Sequence, residues 1–208
     1  MRLLLIRHGE SVANTEGRLQ GQMDSPLTEQ GREQVHALAR RLVRERWPVS
    51  SIYSSDLCRA ADTAGILGVA FQAPVFLDER LREYDVGVLA GLTRADIEQQ
   101  YPELWRMSRQ SPVWPTVPGE EDNEAFGQRI ASVLDDIRST HEDERVVAVV
   151  SHGRTLGTML MYLLGIELGQ RTLFRFGNAS LTVVEMRPYG NVLACLNDMC
   201  HLKNDLPK

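Results

Sequence analysis

Met1-Arg2-Leu3-Leu4-Leu5-Ile6-Arg7-His8-Gly9-Glu10 opens the chain, and its reading decides the fold. Leu3–Ile6 is an unbroken apolar run that stops at a charged, glycine-containing segment. A short run without polar alternation predicts a strand buried on both faces, as in a parallel sheet. Working outward, residues 8–27 carry Gly9, Asn14, Gly17, Gly21 and Pro26 among few apolar residues. That reads as a long loop, and a loop of such length in a compact domain is usually functional. Thr28 then suits a helix N-cap. Apolar residues follow at Val35, Leu38, Ala39, Leu42 and Val43, in steps of three and four that predict an amphipathic helix with arginines crowding its other face.

The alternation continues along the chain. Ser51–Tyr53 reads as a short strand, with Ser54-Ser55-Asp56 as the cap of a helix running to about Leu67. Val75–Leu77 is another strand, and a helix is expected from Thr93 to about Tyr101. Residues 101–119 hold Pro102, Pro112, Pro115 and Pro118 together with Trp105, Met107 and Trp114. This stretch reads as an insertion or lid whose Trp and Met side chains wall a pocket or pack onto the core. Phe126, Ile130, Val133, Leu134 and Ile137 mark a helix that leads into Arg145–Val150, the strongest strand signal. Ser151-His152-Gly153 follows, then a helix to about Leu164 and strands near Leu181–Glu185 and Val192–Leu196. The pattern predicts an α/β fold: a three-layer α/β/α sandwich on a mostly parallel central sheet. Residues 1–208 read as one domain, with a small lid-like insertion at about 84–120 over the carboxyl edge of the strands.

Composition sets outer bounds. With 208 residues, 43% apolar and 25% charged, the chain has the make-up of an ordinary globular protein. Its 28 acidic against 23 basic residues give a charge of -5, which argues against a nucleic-acid scaffold or a polybasic membrane binder. A small anionic ligand stays open, because local residues set the field in a pocket. The apolar runs Val146–Val150 and Met159–Leu164 fall far short of the ~20 residues that span a bilayer. Leu3–Ile6, behind Arg2, is shorter than the ~7–15 residues of a signal-peptide core. Cys58, Cys195 and Cys200 lack a CxxC spacing, so reduced thiols in a cytoplasm are expected rather than a disulfide framework or a zinc site.

In such sheets ligands bind beyond the carboxyl ends of the strands. Three strand ends deliver notable residues there: Arg7-His8-Gly9, the segment Ser54 to Arg59, and Ser151-His152-Gly153. Two arginines, two histidines and helix N-termini would converge on one edge. That combination suits a doubly charged tetrahedral anion, in practice a phosphoryl group.

Leu4-Leu5-Ile6-Arg7-His8-Gly9-Glu10-Ser11, with Asn14 three residues on, closely resembles the signature of the histidine phosphatase superfamily, also called phosphoglycerate-mutase-like. The resemblance continues through Asp24–Gly31, Tyr53–Ala60, Leu81-Arg82-Glu83, Pro118–Glu121, Val150–Gly153 and the late Asn197-Asp198 with His201-Leu202. It implies a covalent mechanism in which His8 attacks phosphorus and becomes phosphohistidine. Arg7 and Arg59 would neutralise the phosphoryl oxygens and keep His8 neutral, while His152 and Asn14 hold the remaining oxygens. Glu83 would protonate the leaving oxygen and then deprotonate the attacking water. Gln20, Gly21 and Gly153 lie where relatives contact substrate, and Glu10 belongs to the framework. Ser11, Arg18, Gln22, Arg82 and Arg154 are weaker candidates.

The resemblance implies no metal and no cofactor. The expected partners are a small phosphorylated metabolite and phosphate ion, without nucleic acid or membrane; a homodimer is left open. The reading favoured is a phosphomonoesterase. Its alternatives are a cofactor-dependent phosphoglycerate mutase, for which Arg94 falls near a substrate-binding lysine, an alpha-ribazole phosphatase, a fructose-2,6-bisphosphatase-like enzyme, and a non-catalytic phosphate-binding regulator.

Overall fold

The structure is a computed structural model that describes residues 1–110, 115–141, 145–167 and 173–202. Strands β1 (Arg2–Arg7), β2 (Val49–Ser54), β3 (Val75–Leu77), β4 (Val146–Ser151), β5 (Leu181–Arg187) and β6 (Gly190–Asp198) form one sheet, in the order β3-β2-β4-β1-β5-β6. The first four run parallel; β5 is antiparallel to β1, and β6 to β5. The helices are α1 (Val12–Thr15), α2 (Glu29–Arg44), α3 (Cys58–Phe71), α4 (Arg94–Gln100), α5 (Pro102–Gln110), α6 (Asn123–Thr140) and α7 (Gly153–Leu163).

The unbroken apolar run of β1 is explained by a core on either side. Leu3 and Leu5 join one buried cluster with α6 and α7 side chains such as Ile130, Leu134, Leu156 and Leu160. Leu4 and Ile6 join the other, with Val35, Leu38 and Leu42 of α2 and Ala60, Ala64 and Leu67 of α3. β4 divides the same way, Val147 and Val149 facing the first cluster and Val146, Ala148 and Val150 the second. Period-two alternation across a doubly covered strand thus yields the three-layer α/β/α sandwich.

Local boundaries depart from expectation in three places. Val43 is 48% exposed, because α2 turns its last apolar position out beside the arginines. The cap of α3 is Leu57, without a side-chain cap bond, and the helix runs on to Phe71. Ser54 and Ser55 are wholly buried instead and take up other bonds. Trp105 packs against the small cluster of Leu89, Ile97 and Val117, while Met107 is largely exposed on α5; Trp114 lies outside the described residues.

The loop after β1 rests directly on the first turn of α2, whose Thr28 cap accepts from Gly31 N at 2.9 Å. A Cβ on Gly31 would meet Glu10 O at 2.0 Å, and one on Gly9 would meet Gly31 O at 2.5 Å. Two glycines therefore let the His8 segment approach the helix. Gly31→Ala is expected to cost roughly 1–3 kcal/mol in urea unfolding, with turnover falling further because His8 is displaced. An unchanged midpoint together with unchanged turnover would contradict this close-approach role.

Candidate active site

Strand register assembles the site. Arg7 pairs with Ser151 and Ser54 with Val150, so β1, β2 and β4 end at one level. The pairing extends one residue further: His8 N donates to Ser151 O at 3.0 Å, and Ser55 N to Val150 O at 3.1 Å. His8, His152 and Ser55 thereby emerge side by side, with the two imidazole centroids 5.2 Å apart. The site also sits at a topological switch point. The chain leaves β1 for α2 on one face, and leaves β4 for α7 on the other.

His8 is buried, and its Nδ1 lies 2.7 Å from Gly9 O. A carbonyl can only accept, so the proton resides on Nδ1 and Nε2 keeps its lone pair without a protein partner. Around it, Arg59 is 1% exposed and donates through its Nη atoms to Met23 O and Gly21 O, both at 2.8 Å. Its Nε donates to His152 Nδ1 at 3.2 Å, leaving His152 Nε2–H to donate to Ser55 Oγ at 2.9 Å. Arg7 donates through Nη1 to Phe176 O at 2.6 Å, yet its buried Nε has no partner. An orphaned guanidinium donor in such a place is a position for an anion.

Asn14 Oδ1 accepts from Ser11 N, Ser11 Oγ and Asn178 Nδ2 at 3.0–3.1 Å, which leaves its amide N–H groups to the cavity. Gly21 has φ +51, and a Cβ there would lie 2.9 Å from Val86 Cγ2; only glycine presents this carbonyl to Arg59 without strain. Glu83 sits over the start of α7. Its Oε1 accepts from Tyr84 N, Thr155 N and Thr155 Oγ1, whereas among the described residues Oε2 accepts only from Arg154 N. Oε2 is therefore the oxygen with capacity for a proton or a substrate contact.

Arg7, His8, Asn14, Gln20, Gly21, Arg59, Glu83 and His152 all line one cavity of about 590 Å³. Across nearly the whole chain this arrangement has known counterparts. The sequence profile of the histidine phosphatase superfamily (branch 1) matches residues 3–199. The chain belongs to that superfamily. Phosphoserine phosphatase 1 of Hydrogenobacter thermophilus is 36% identical over 202 residues, covering 97% of this chain and 94% of its own. The metal-independent phosphoserine phosphatase of Arabidopsis thaliana is 34% identical over 204 residues, covering 97% and 83%. Among solved structures, mycobacterial glucosyl-3-phosphoglycerate phosphatase in complex with VO3 superposes with a TM-score of 0.83 at 32% identity, covering 94% and 98%. The protein is accordingly a phosphatase, a phosphoric monoester hydrolase.

In this histidine phosphatase the remaining candidates are placed as follows. Arg18 and Arg154 line the cavity, with Arg154 stacked 3.4 Å over the Tyr84 ring. Ser11 lies behind it, bonded to Asn14 and Gln20. Gly153 backs Arg7 without lining the space. Gln22 and Arg82 lie outside it, Arg82 being paired with Asp56. Glu10 accepts from Thr28 Oγ1 at 2.8 Å, a framework contact.

One alternative is decided and one expectation needs correction. Trp105 and Met107 do not wall the cavity; Leu19, Val86, Leu89 and Val117 supply its apolar side, and Trp105 faces a neighbouring hollow. Nor are the helix starts left wholly to an anion, since several of their N–H groups already have partners. Arg154 N and Thr155 N of α7 serve Glu83, and Cys58 N of α3 serves Asp24. Sequence reasoning missed Asn178 and Thr155, which no charge or motif flags, and it placed Ser55 within the Tyr53–Ala60 segment only as a helix cap and not as the partner of His152.

Among the described residues no helix is long and apolar enough to cross a membrane, and no cluster of three or more His, Cys, Asp or Glu could hold a metal ion.

Burial foremost, then the charges of Arg7 and Arg59, holds His8 well below the ordinary histidine value. Burial foremost, then His8, Arg59 and Arg7, does the same to His152. Sequence reasoning had credited the arginines alone; desolvation is the larger cause. Both groups stay neutral in the folded state at a pH where the unfolded chain protonates them. Stability is therefore lost as pH falls below about 6.5, at up to ~1.4 kcal/mol per pH unit for each histidine. His152→Gln is expected to flatten the slope of urea-unfolding free energy between about pH 7 and 5.5 by up to that amount. Equal slopes for variant and parent would show that His152 titrates normally in the fold.

Proposed function

We propose that the chain is a metal-independent phosphomonoesterase that acts through a phosphohistidine intermediate on small phosphorylated metabolites. The observation that carries this reading is the tautomer of His8. With Nδ1–H committed to Gly9 O, Nε2 offers a lone pair into a cavity flanked by two guanidiniums.

His8 Nε2 attacks phosphorus in line, and the ester P–O bond breaks. Glu83 Oε2 gives its proton to the leaving alkoxide. Nδ1–H still donates to Gly9 O in the intermediate, sharing the positive charge of the phosphorylated ring. Arg7, Arg59 and Asn14 bind the phosphoryl oxygens, His152 joins them by turning its Nε2–H away from Ser55 Oγ, and the orphaned Arg7 Nε gains its partner. Water then attacks phosphorus, Glu83 accepts its proton, and phosphate departs from neutral His8. Fixed guanidiniums supply the charge neutralisation that metal ions give in other phosphoryl-transfer enzymes.

The described residues between 84 and 120 act as a lid-like border of the same single domain, since Tyr84, Val86, Leu89, Val117 and Glu120 all line the cavity. The finer substrate reading is a phosphate ester whose alcohol carries a carboxylate, as phosphoserine and glucosyl-3-phosphoglycerate, named for the three relatives above, do. Arg18, Arg154 and Glu120 all line the cavity, a mixture of charges that also suits an amino-acid ester such as phosphoserine. Arg94, the cation that favoured a mutase, is exposed and lines the neighbouring hollow, which supports hydrolysis over isomerisation. Three free thiols support a reducing, cytoplasmic setting.

Phosphoserine, 3-phosphoglycerate, sugar phosphates and p-nitrophenyl phosphate should each be tested for phosphate release in the presence of a chelator. Release is expected, with an acid-labile phosphoenzyme trapped on His8 and turnover reduced about a thousandfold or more in His8→Ala. Full turnover by His8→Ala would end the covalent scheme. Isomerisation of 3-phosphoglycerate outrunning phosphate release would establish the mutase instead.

A further inference from the structure

The mechanism leaves one buried ion pair without a task. Arg129 of α6 and Glu121 form a two-bond pair, Nε to Oε1 at 2.6 Å and Nη2 to Oε2 at 2.9 Å, with both side chains more than four-fifths buried. The remaining donors of Arg129 go elsewhere: Nη1 donates to Arg80 O at 2.6 Å and Arg82 O at 2.9 Å, and Nη2 to Glu83 O at 3.1 Å. All five guanidinium N–H groups are therefore used, three of them on main-chain carbonyls on either side of the Glu83 Cα.

Glu121 grips the same segment from its other end. Its N donates to Asp85 O at 3.0 Å, its Oε2 accepts from Asp85 N at 3.3 Å, and its carbonyl accepts from the Tyr84 hydroxyl. The face of the Phe126 ring lies 4.7 Å from the Arg129 guanidinium and fixes its plane. Regular structure in residues 80–85 is limited to one short helical turn, Glu79–Leu81; Ser151 Oγ and Thr155 Oγ1 hold Leu81 O and Arg82 O, and Arg129 is the contact that spans both sides of Glu83. A flexible connection could not keep a carboxylate within the few tenths of an ångström that proton transfer requires.

We propose that Arg129, braced by Glu121, is a positioning residue that fixes Glu83 for proton donation to the leaving group. The proposal rests on the reading of Glu83 as the acid. It separates from a purely structural role through the leaving group. An alkoxide needs its proton in the first phosphoryl transfer, whereas nitrophenolate departs without one. kcat/KM reports that first transfer alone.

Arg129→Met and Glu121→Gln should therefore lower kcat/KM for β-glycerol phosphate by about tenfold or more, and that for p-nitrophenyl phosphate by less than about threefold. Arg129→Lys should recover part of the loss. Glu83→Gln is the reference. If Glu83→Gln affects both esters equally, the acid assignment fails and this proposal with it. If Glu83→Gln discriminates while Arg129→Met and Glu121→Gln depress both esters alike, or neither, the positioning role alone is overturned. Should Arg129→Met not fold, Glu121→Gln and Arg129→Lys decide by the same comparison.

Discussion

Parallel pairing of β1 with β4 from Arg2↔Val146 to Arg7↔Ser151 fixes everything that follows at the carboxyl edge. Side chains alternate across a sheet, so a slip of one residue would turn Leu3 and Leu5 toward the wrong helices. The register is therefore held by two buried apolar faces rather than by the site itself. The same register carries Arg7, His8, Ser151 and His152 to one level. Stability invested in the two cores is what keeps two guanidiniums and two desolvated imidazoles together in the absence of an anion.

That assembly is electrostatically unfavourable when empty. Burial depresses Arg7 and Arg59 from the usual guanidinium value, although both remain cations, and Glu83 opposes the shift in each. Neutral His8 and His152 avoid adding two further charges to the same space. A phosphoryl dianion converts this burden into binding, since each cation then gains a partner in a low-dielectric setting. The overall charge of -5 says nothing about this, because the field in the cavity is made locally.

How much of this could be read beforehand follows from what each feature depends on. β1, β4, α2 and α6 announce themselves, since continuous runs and three-four spacing are direct consequences of burial. His8, Arg59 and His152 are visible because strand ends and helix starts are predictable, and charged residues there are conspicuous. Asn178 and Ser55 are not. Asn178 reaches His8 O, Gly9 O and Asn14 Oδ1 from a chain segment some 170 residues away, and no local pattern encodes that return. Ser55 reads as a cap because serine before a helix usually is one; tertiary packing gave it to His152. The wall of the cavity stays open in the sequence for a similar reason. Tryptophan and methionine on an amphipathic segment fit a pocket lining and a packing face equally, and the position of α5 chose the second for Trp105.

The correction concerning helix N-termini has the furthest consequence. A helix start is a ready anion site, and the sequence offered three. In the structure, α2 is capped by Thr28, the first turn of α3 is bonded to Asp24, and the first N–H groups of α7 hold Glu83. The phosphoryl position is thus left mainly to guanidiniums, which keep their charge at any working pH and present forked donors matched to tetrahedral oxygens. α7 instead supports Glu83, the proposed proton donor. Its N–H groups fix the Glu83 carboxylate from the side chain, as Arg129 does from the main chain, and Oε2 remains the side open to the leaving oxygen. On the proposed mechanism, binding and proton transfer therefore depend on separate supports, and the carboxylate that passes the proton is not also a group that holds the phosphate.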